Sequence, residues 1–203
     1  MKLRFSPTSP YVRKVSVCAI ELGLSDRLEQ VMTDPWDSSN DLSDDNPLGR
    51  VPALIDDNGQ HLYDSAVICE FLDSLSDAAA LFPADDSRWR VLRQHALADG
   101  LIDAGVNALI ERFKRPQETS SEEWAQFQLD AVRRALVTLE NDVADFSGAP
   151  INIAQITCGV ALGYLDFRYK DEIDWRANCL QLASWYEEFS QRDSMLQTVP
   201  KMP

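Results

Sequence analysis

The chain has 203 residues, 45% hydrophobic and 26% charged, with 8 glycines and 10 prolines, enough for one or two domains with a real core and unlike collagen or a disordered polymer. Acidic side chains outnumber basic ones 33 to 19, a formal charge of −14, so nucleic acid or an anionic membrane would be repelled. The excess is no acidic tail: 6 basic stand against 14 acidic up to residue 80, and 13 against 19 beyond it.

The opening residues Met1-Lys2-Leu3-Arg4-Phe5-Ser6-Pro7 lack the apolar run of a signal peptide, and the longest uncharged apolar stretch, 156–165, is about half of the ~20 residues a membrane helix needs. Cys18, Cys69, Cys158 and Cys179 are far apart, and His61 and His95 are the only histidines, so neither a metal centre nor a disulfide framework is expected. A cytoplasmic protein with reduced cysteines follows.

Residues 2–5 predict a short strand, ended by Ser6-Pro7-Thr8-Ser9-Pro10. Val12, Val15, Ala19 and Leu22 repeat at helical spacing and Gly23 is a stop signal. A second strand is predicted over 28–32, then a polar, acidic stretch over 33–46 with one short helix. Residues 51–55, the Asp56-Asp57-Asn58-Gly59 turn and residues 61–63 read as a hairpin, and Ile68, Phe71, Leu72 and Leu75 mark a further helix. The order is βαβαββα over 1–78. Residues 76–87 read as a connector, and four helices are predicted beyond it, over 88–113, 121–146, 152–168 and 177–191. An α/β domain at 1–78 followed by an all-α domain at 87–203 is the expected architecture.

Three short motifs carry chemistry. Ser9-Pro10 places a capping serine before a proline at the first helical position, and such a helix start can hold an anion or a thiolate; Ser9 equally serves as a plain cap. In Asn46-Pro47-Leu48-Gly49-Arg50-Val51-Pro52-Ala53-Leu54, a proline at a strand start calls for a cis Val51–Pro52 bond, which would turn the backbone of Val51 outward, or for an ordinary turn. Asp64-Ser65 opens the next helix, where Ser65 and the backbone N–H groups can receive a carboxylate and Asp64 an ammonium group, or the pair is an everyday cap.

These motifs in this order resemble the cytosolic glutathione transferase family over the whole chain, in particular its bacterial serine-type, YibF-like members, through T-S-P-Y-V-R-K, N-P-L-G-R-V-P-A-L, Y-D-S-A-V-I, the 96–105 stretch and Gly163 to Arg168. The resemblance implies a thioredoxin-like N-terminal domain, glutathione as co-substrate without a metal, and a homodimer. It implies that Ser9 faces the glutathione sulfur and is catalytic, that Val51 pairs with the cysteinyl backbone beside cis Pro52, and that Asp64 and Ser65 hold the γ-glutamyl end. Arg50 is the candidate for the glycyl carboxylate. The implied activity is attack of the ionised thiol on a small electrophilic or hydrophobic substrate held between the domains, where Tyr11, Trp36, Arg112, Phe113 and Tyr164 are the candidates; a glutathione-dependent isomerase, dehalogenase or peroxidase, or a non-catalytic binding module of the same fold, is the alternative.

Three features depart from the family pattern. Serine at position 9 cannot form a mixed disulfide with glutathione. The helix cap expected as Ser/Thr-x-x-Asp reads Asn152-Ile153-Ala154-Gln155, which can still cap through Asn152 and Gln155. Asp34, Asp37, Asp41, Asp44 and Asp45 stand together with no basic residue between them, which opposes an anionic tripeptide and predicts modest, salt-sensitive affinity.

Overall fold

Strands β1 (Lys2–Phe5), β2 (Glu29–Met32), β3 (Ala53–Ile55) and β4 (His61–Leu62) form one mixed sheet in the order β2-β1-β3-β4. β1 pairs in parallel with β2 and antiparallel with β3, and β3 pairs antiparallel with β4, so β4 runs in the same direction as β1. In this computed structural model, residues 1–77, 80–146 and 148–201 are described. Ala78 and Ala79 of the predicted connector, and the last two residues of the predicted helical domain, lie outside them.

The parallel β1–β2 pair needs a crossover, and α1 (Pro10–Glu21) supplies it. Val12, Val15, Ala19 and Leu22, the predicted apolar stripe, are all buried. The helix stops where Gly23 adopts φ +69: the Gly23 N–H donates to the carbonyl of Ile20 and the Leu24 N–H to that of Ala19, the paired bonds of a Schellman ending. The β3–β4 hairpin closes through Asp56, whose Oδ1 accepts from the N–H groups of Asn58 and Gln60 around Gly59 at φ +80. Helix α2 (Leu42–Asp45) packs against β3, and α3 (Ser65–Ser74) packs against both α1 and β3.

The chain forms two units, Met1–Ala84 with Arg192–Pro203, and Asp85–Gln191. The sequence reading assigns the last segment to the helical domain and predicts no helix there. In the structure it belongs with the first unit: its final helix packs on α1, and the Arg192 guanidinium forms a two-pronged pair with Glu21 at 2.7 and 2.8 Å.

The second unit is helical, with α4 (Arg88–Phe113), α5 (Glu122–Asp142), α6 (Ile153–Arg168) and α7 (Leu180–Phe189); the segment just described opens with α8 (Asp193–Gln197). α4 packs on α5 and α6. α6 is apolar nearly all round and is buried from Ile153 through Leu165, as a central helix must be. Its start carries the full capping box: Asn152 Oδ1 accepts from the N–H groups of Ala154 and Gln155, and Gln155 Oε1 accepts from the Asn152 N–H at 2.8 Å. The Asn/Gln version of the cap therefore survives without a charge. α5 ends four residues short of the predicted 146, where the chain tightens into a 3-10 turn over Val143–Asp145.

Candidate functional site

Sheet topology alone brings the three motifs to one edge. β1 and β4 run in the same direction, so the residues that follow them, Ser9 and Asp64-Ser65, leave the sheet at the same end. β3 runs the opposite way, so the residues that precede it, Arg50, Val51 and Pro52, lie at that end too. β2 is parallel to β1, and the acidic segment 34–45 therefore begins there as well.

Ser9 is the N-cap of α1. Its Oγ accepts from the Val12 N–H at 3.3 Å, with Pro10 at the first helical position, where no N–H is needed. Capping uses a lone pair of the oxygen and leaves the hydroxyl proton to donate elsewhere. Val12 also ties the cap to the second motif, because its side chain shares a buried cluster with Leu42 and Val51, against which Phe5 packs.

The Val51–Pro52 peptide is cis, the first of the two forms open from the sequence. Asn46 shapes the loop that leads to it. Buried to 2% exposure, it donates from Nδ2 to the Arg50 carbonyl at 2.8 Å and accepts at Oδ1 from the Leu48 N–H at 3.0 Å, while its own carbonyl receives the Gly49 N–H. Gly49 takes φ +61, which suits glycine and lets the loop turn back to the strand. Sequence reading missed Asn46 as a positioning residue; an asparagine before a proline and seven residues before the strand was the available signal. The Arg50 guanidinium is exposed and makes no hydrogen bond or ion pair among the described residues.

Asp64 caps α3 by accepting from the Ala66 N–H at 3.0 Å; its side chain is exposed, while Ser65 is buried at the helix start. One carboxylate oxygen is therefore used in capping and the other remains to meet a cation.

The acidic segment is less repulsive than its residue count implies. Arg4 on β1 reaches Asp41 at 3.0 Å and Asp45 at 2.5 Å, and His61 lies 3.1 Å from Asp45. Hydrogen bonding and charge from Arg4 hold the Asp41 carboxyl below its ordinary value, and the same contacts push the Arg4 guanidinium up. Asp37 accepts from the N–H and hydroxyl of Ser39, and Asp34 from the Trp36 N–H, so these carboxylates also organise the loop. "No basic residue between them" is true along the chain and untrue in space.

The five residues expected to meet a second substrate are divided between the units. Tyr11 is half-buried in the first turn of α1 and Trp36 is 53% exposed after β2. Phe113, at the end of α4, is 74% exposed. Arg112 is committed to a clasp: Glu122 receives its Nε and Nη2, and Glu172 its Nη1 and Nη2, so four hydrogen bonds engage its fork. Tyr164 is 4% exposed, edge-on to Tyr169, and burial pushes its phenol pKa up. A Cβ at Gly105 would lie 3.2 Å from the Tyr164 ring, and the Tyr169 hydroxyl donates to the Gly105 carbonyl at 2.6 Å.

All four cysteines are free and buried. Burial pushes the thiols of Cys18, Cys158 and Cys179 up, which favours their protonated form. No group of three or more metal-ligating side chains occurs among the described residues, and no helix there is long and apolar enough to cross a membrane.

Two family models match the chain: the N-terminal domain of glutathione S-transferases over residues 8–75 and their C-terminal domain over 122–188. The uncharacterized GST-like protein YibF of Escherichia coli K12 is 34% identical over 98% of each chain. The chain belongs to the glutathione transferase family. Solved glutathione transferases agree in fold. A Pseudomonas fluorescens Pf-5 member with bound glutathione is 45% identical with a TM-score of 0.92 over 99% of each chain. One from Methylobacillus flagellatus KT, also with glutathione bound, is 37% identical with a TM-score of 0.91 over 98% of this chain and 99% of that one. In this family member all three motifs fall within the segment matched by the N-terminal model, and the residue that caps α1 is serine.

Proposed function

We propose that this glutathione transferase binds glutathione at the sheet edge that carries Ser9, Val51–Pro52 and Asp64–Ser65, and lowers the pKa of its thiol for attack on a small electrophilic or hydrophobic substrate. The observation that carries this reading is the Ser9 hydroxyl at the start of α1, whose oxygen is engaged in capping while its proton is available to a sulfur. A free thiol titrates at about 8.5, and only its thiolate is nucleophilic. A donated hydrogen bond beside the positive end of a helix favours that thiolate. The sulfur lone pair then forms the new carbon–sulfur bond, and the leaving group departs with the electron pair of the bond that breaks.

In this reading residues 1–78 are the glutathione-binding domain, with the segment from Arg192 packed back onto it, and the helical domain runs from 87 to 191. Val51 pairs its backbone with the cysteinyl part, Asp64 meets the γ-glutamyl ammonium, Ser65 and the α3 start receive its carboxylate, and Arg50 takes the glycyl carboxylate. Tyr11 and Trp36 of the first unit offer apolar surface to the second substrate. Glutathione bound to the two solved relatives supports the choice of co-substrate. The protein acts in the cytoplasm, in detoxification, as a homodimer; a sedimentation mass of one chain at micromolar concentration would refute the dimer.

The deciding experiment is titration of the bound glutathione thiol by its ultraviolet absorbance in wild type and Ser9→Ala. A wild-type value well below about 8.5 that rises in the variant is expected. Equal values near 8.5 would remove Ser9 from the mechanism. Failure to be retained on immobilised glutathione at low and high salt would make the chain a binding module rather than an enzyme.

A further inference from the structure

α1 carries Ser9 at its start and is held along its length by the last segment of the first unit. At its far end, Glu21 accepts both prongs of the Arg192 guanidinium and the hydroxyl of Ser194. Nearer its start, Arg13 donates from Nη2 to the Met195 carbonyl at 3.2 Å and from Nε to Thr198 Oγ1 at 3.4 Å. Arg13, Val17 and Glu21 stand four apart and share one helix face. Val17 is fully buried between the two clamps, and Ser194 and Met195 are buried as well. Residues 192–198 therefore run antiparallel to α1 as a strap, pinned at points about 12 Å apart along the helix.

The strap reaches the candidate catalytic serine through one residue. The backbone N–H of Arg13 donates to the Ser9 carbonyl at 3.0 Å, closing the first turn, while the side chain of the same residue holds the strap. A shift of α1 along its axis would move Ser9 relative to Val51–Pro52, which belongs to a different element. Hydrogen-bond strength falls steeply with distance and angle, so a small shift changes how well the hydroxyl meets a sulfur.

We propose that Arg13, Glu21 and Arg192 are positioning residues: through the strap 192–198 they hold α1 in register with the sheet and so set where the Ser9 hydroxyl meets the glutathione sulfur. The inference rests on the thiol-activating role of Ser9 proposed above. It makes the end of the chain part of the catalytic apparatus without bringing it to the substrate.

The test compares wild type with Glu21→Ala, Arg192→Ala and the exchanged pair Glu21→Arg with Arg192→Glu, each saturated with glutathione and titrated by thiolate absorbance. The thiol pKa rises by about half a unit in both alanine variants, the size of a partial loss of helix-terminus stabilisation, and returns toward wild type in the exchanged pair. Should an alanine variant not fold, Arg13→Lys, which keeps the charge but gives up one prong of the hold, carries the same shift. A lowered wild-type pKa that stays unchanged in folded variants with reduced melting temperatures would make the strap merely structural and overturn the inference. An ordinary wild-type pKa near 8.5, unchanged in Ser9→Ala, would instead remove the role of Ser9 and the inference with it.

Discussion

The Ser9 hydroxyl oxygen accepts from the Val12 N–H at 3.3 Å, and Val12 in turn packs in the same buried cluster as Val51. One residue thus links the helix cap to the strand-leading segment, and the capping role of Ser9 and its proposed role as donor to the thiolate can be separated by substitution. Ser9→Ala loses both the cap and the donor: stability falls by about 1 kcal/mol and turnover by about tenfold or more. Ser9→Asp caps as well as serine but places a negative charge against the thiolate. Its melting temperature should stay near wild type while the bound thiol pKa rises above that of Ser9→Ala. Thermal unfolding and thiolate absorbance on the same samples check both.

The Arg50 guanidinium is exposed and has no partner among the described residues, so its removal should not affect folding. If it meets the glycyl carboxylate, Arg50→Ala weakens glutathione binding about tenfold, the value of a charge-assisted hydrogen bond, and flattens the salt dependence. Calorimetric titration at two ionic strengths reads both effects. Unchanged affinity would assign the glycyl carboxylate to another group.

The aspartates of segment 34–45 are predicted to separate into two classes. Asp45 is buried and holds Arg4 and His61, so Asp45→Asn leaves the Arg4 charge undercompensated and costs about 2 kcal/mol. Asp44 is exposed and forms no ion pair among the described residues, so Asp44→Asn leaves stability near wild type and, if the acidic field matters, tightens glutathione binding at low salt. Urea unfolding and glutathione titration distinguish them.

The Arg112 clasp predicts an acid-side loss of stability. Hydrogen bonds from Arg112 and then Gln126 hold the Glu122 carboxyl down to about 2, against an ordinary value of 4.5, and Arg112 lowers Glu172 as well. A carboxyl lowered in the folded state binds fewer protons than in the unfolded one, so its contribution is complete above 4.5 and disappears as pH falls toward 2. Glu122 is exposed, so salt reduces the effect. Melting temperatures through that window should fall less steeply in Glu122→Gln than in wild type; parallel curves would show that the clasp adds nothing to stability.

Most of the architecture was legible because its signals are local. Ser9-Pro10, Asn152 with Gln155, and Gly23 each end or begin a helix through groups within a few residues, and their bonds form as the residue types require. The apolar stripe of α1 likewise declared the face that is buried. The short helix after Arg192 had no such signal, since its five residues show little periodicity and are ordered by contacts with α1.

The order of strands and helices up to residue 191 and the position of the three candidate motifs at helix and strand starts were therefore legible in the sequence alone, since caps, turns and periodicity act over a few residues. Only the tertiary structure decided what the charges do. Arg4 meets Asp45 across 41 positions and Arg192 meets Glu21 across 171, and no local pattern encodes such separations. The −14 charge still disfavours polyanions, but charge energies depend on distance in space. The fold turns part of that acidic excess into a partner for Arg4 and an anchor for the strap on α1.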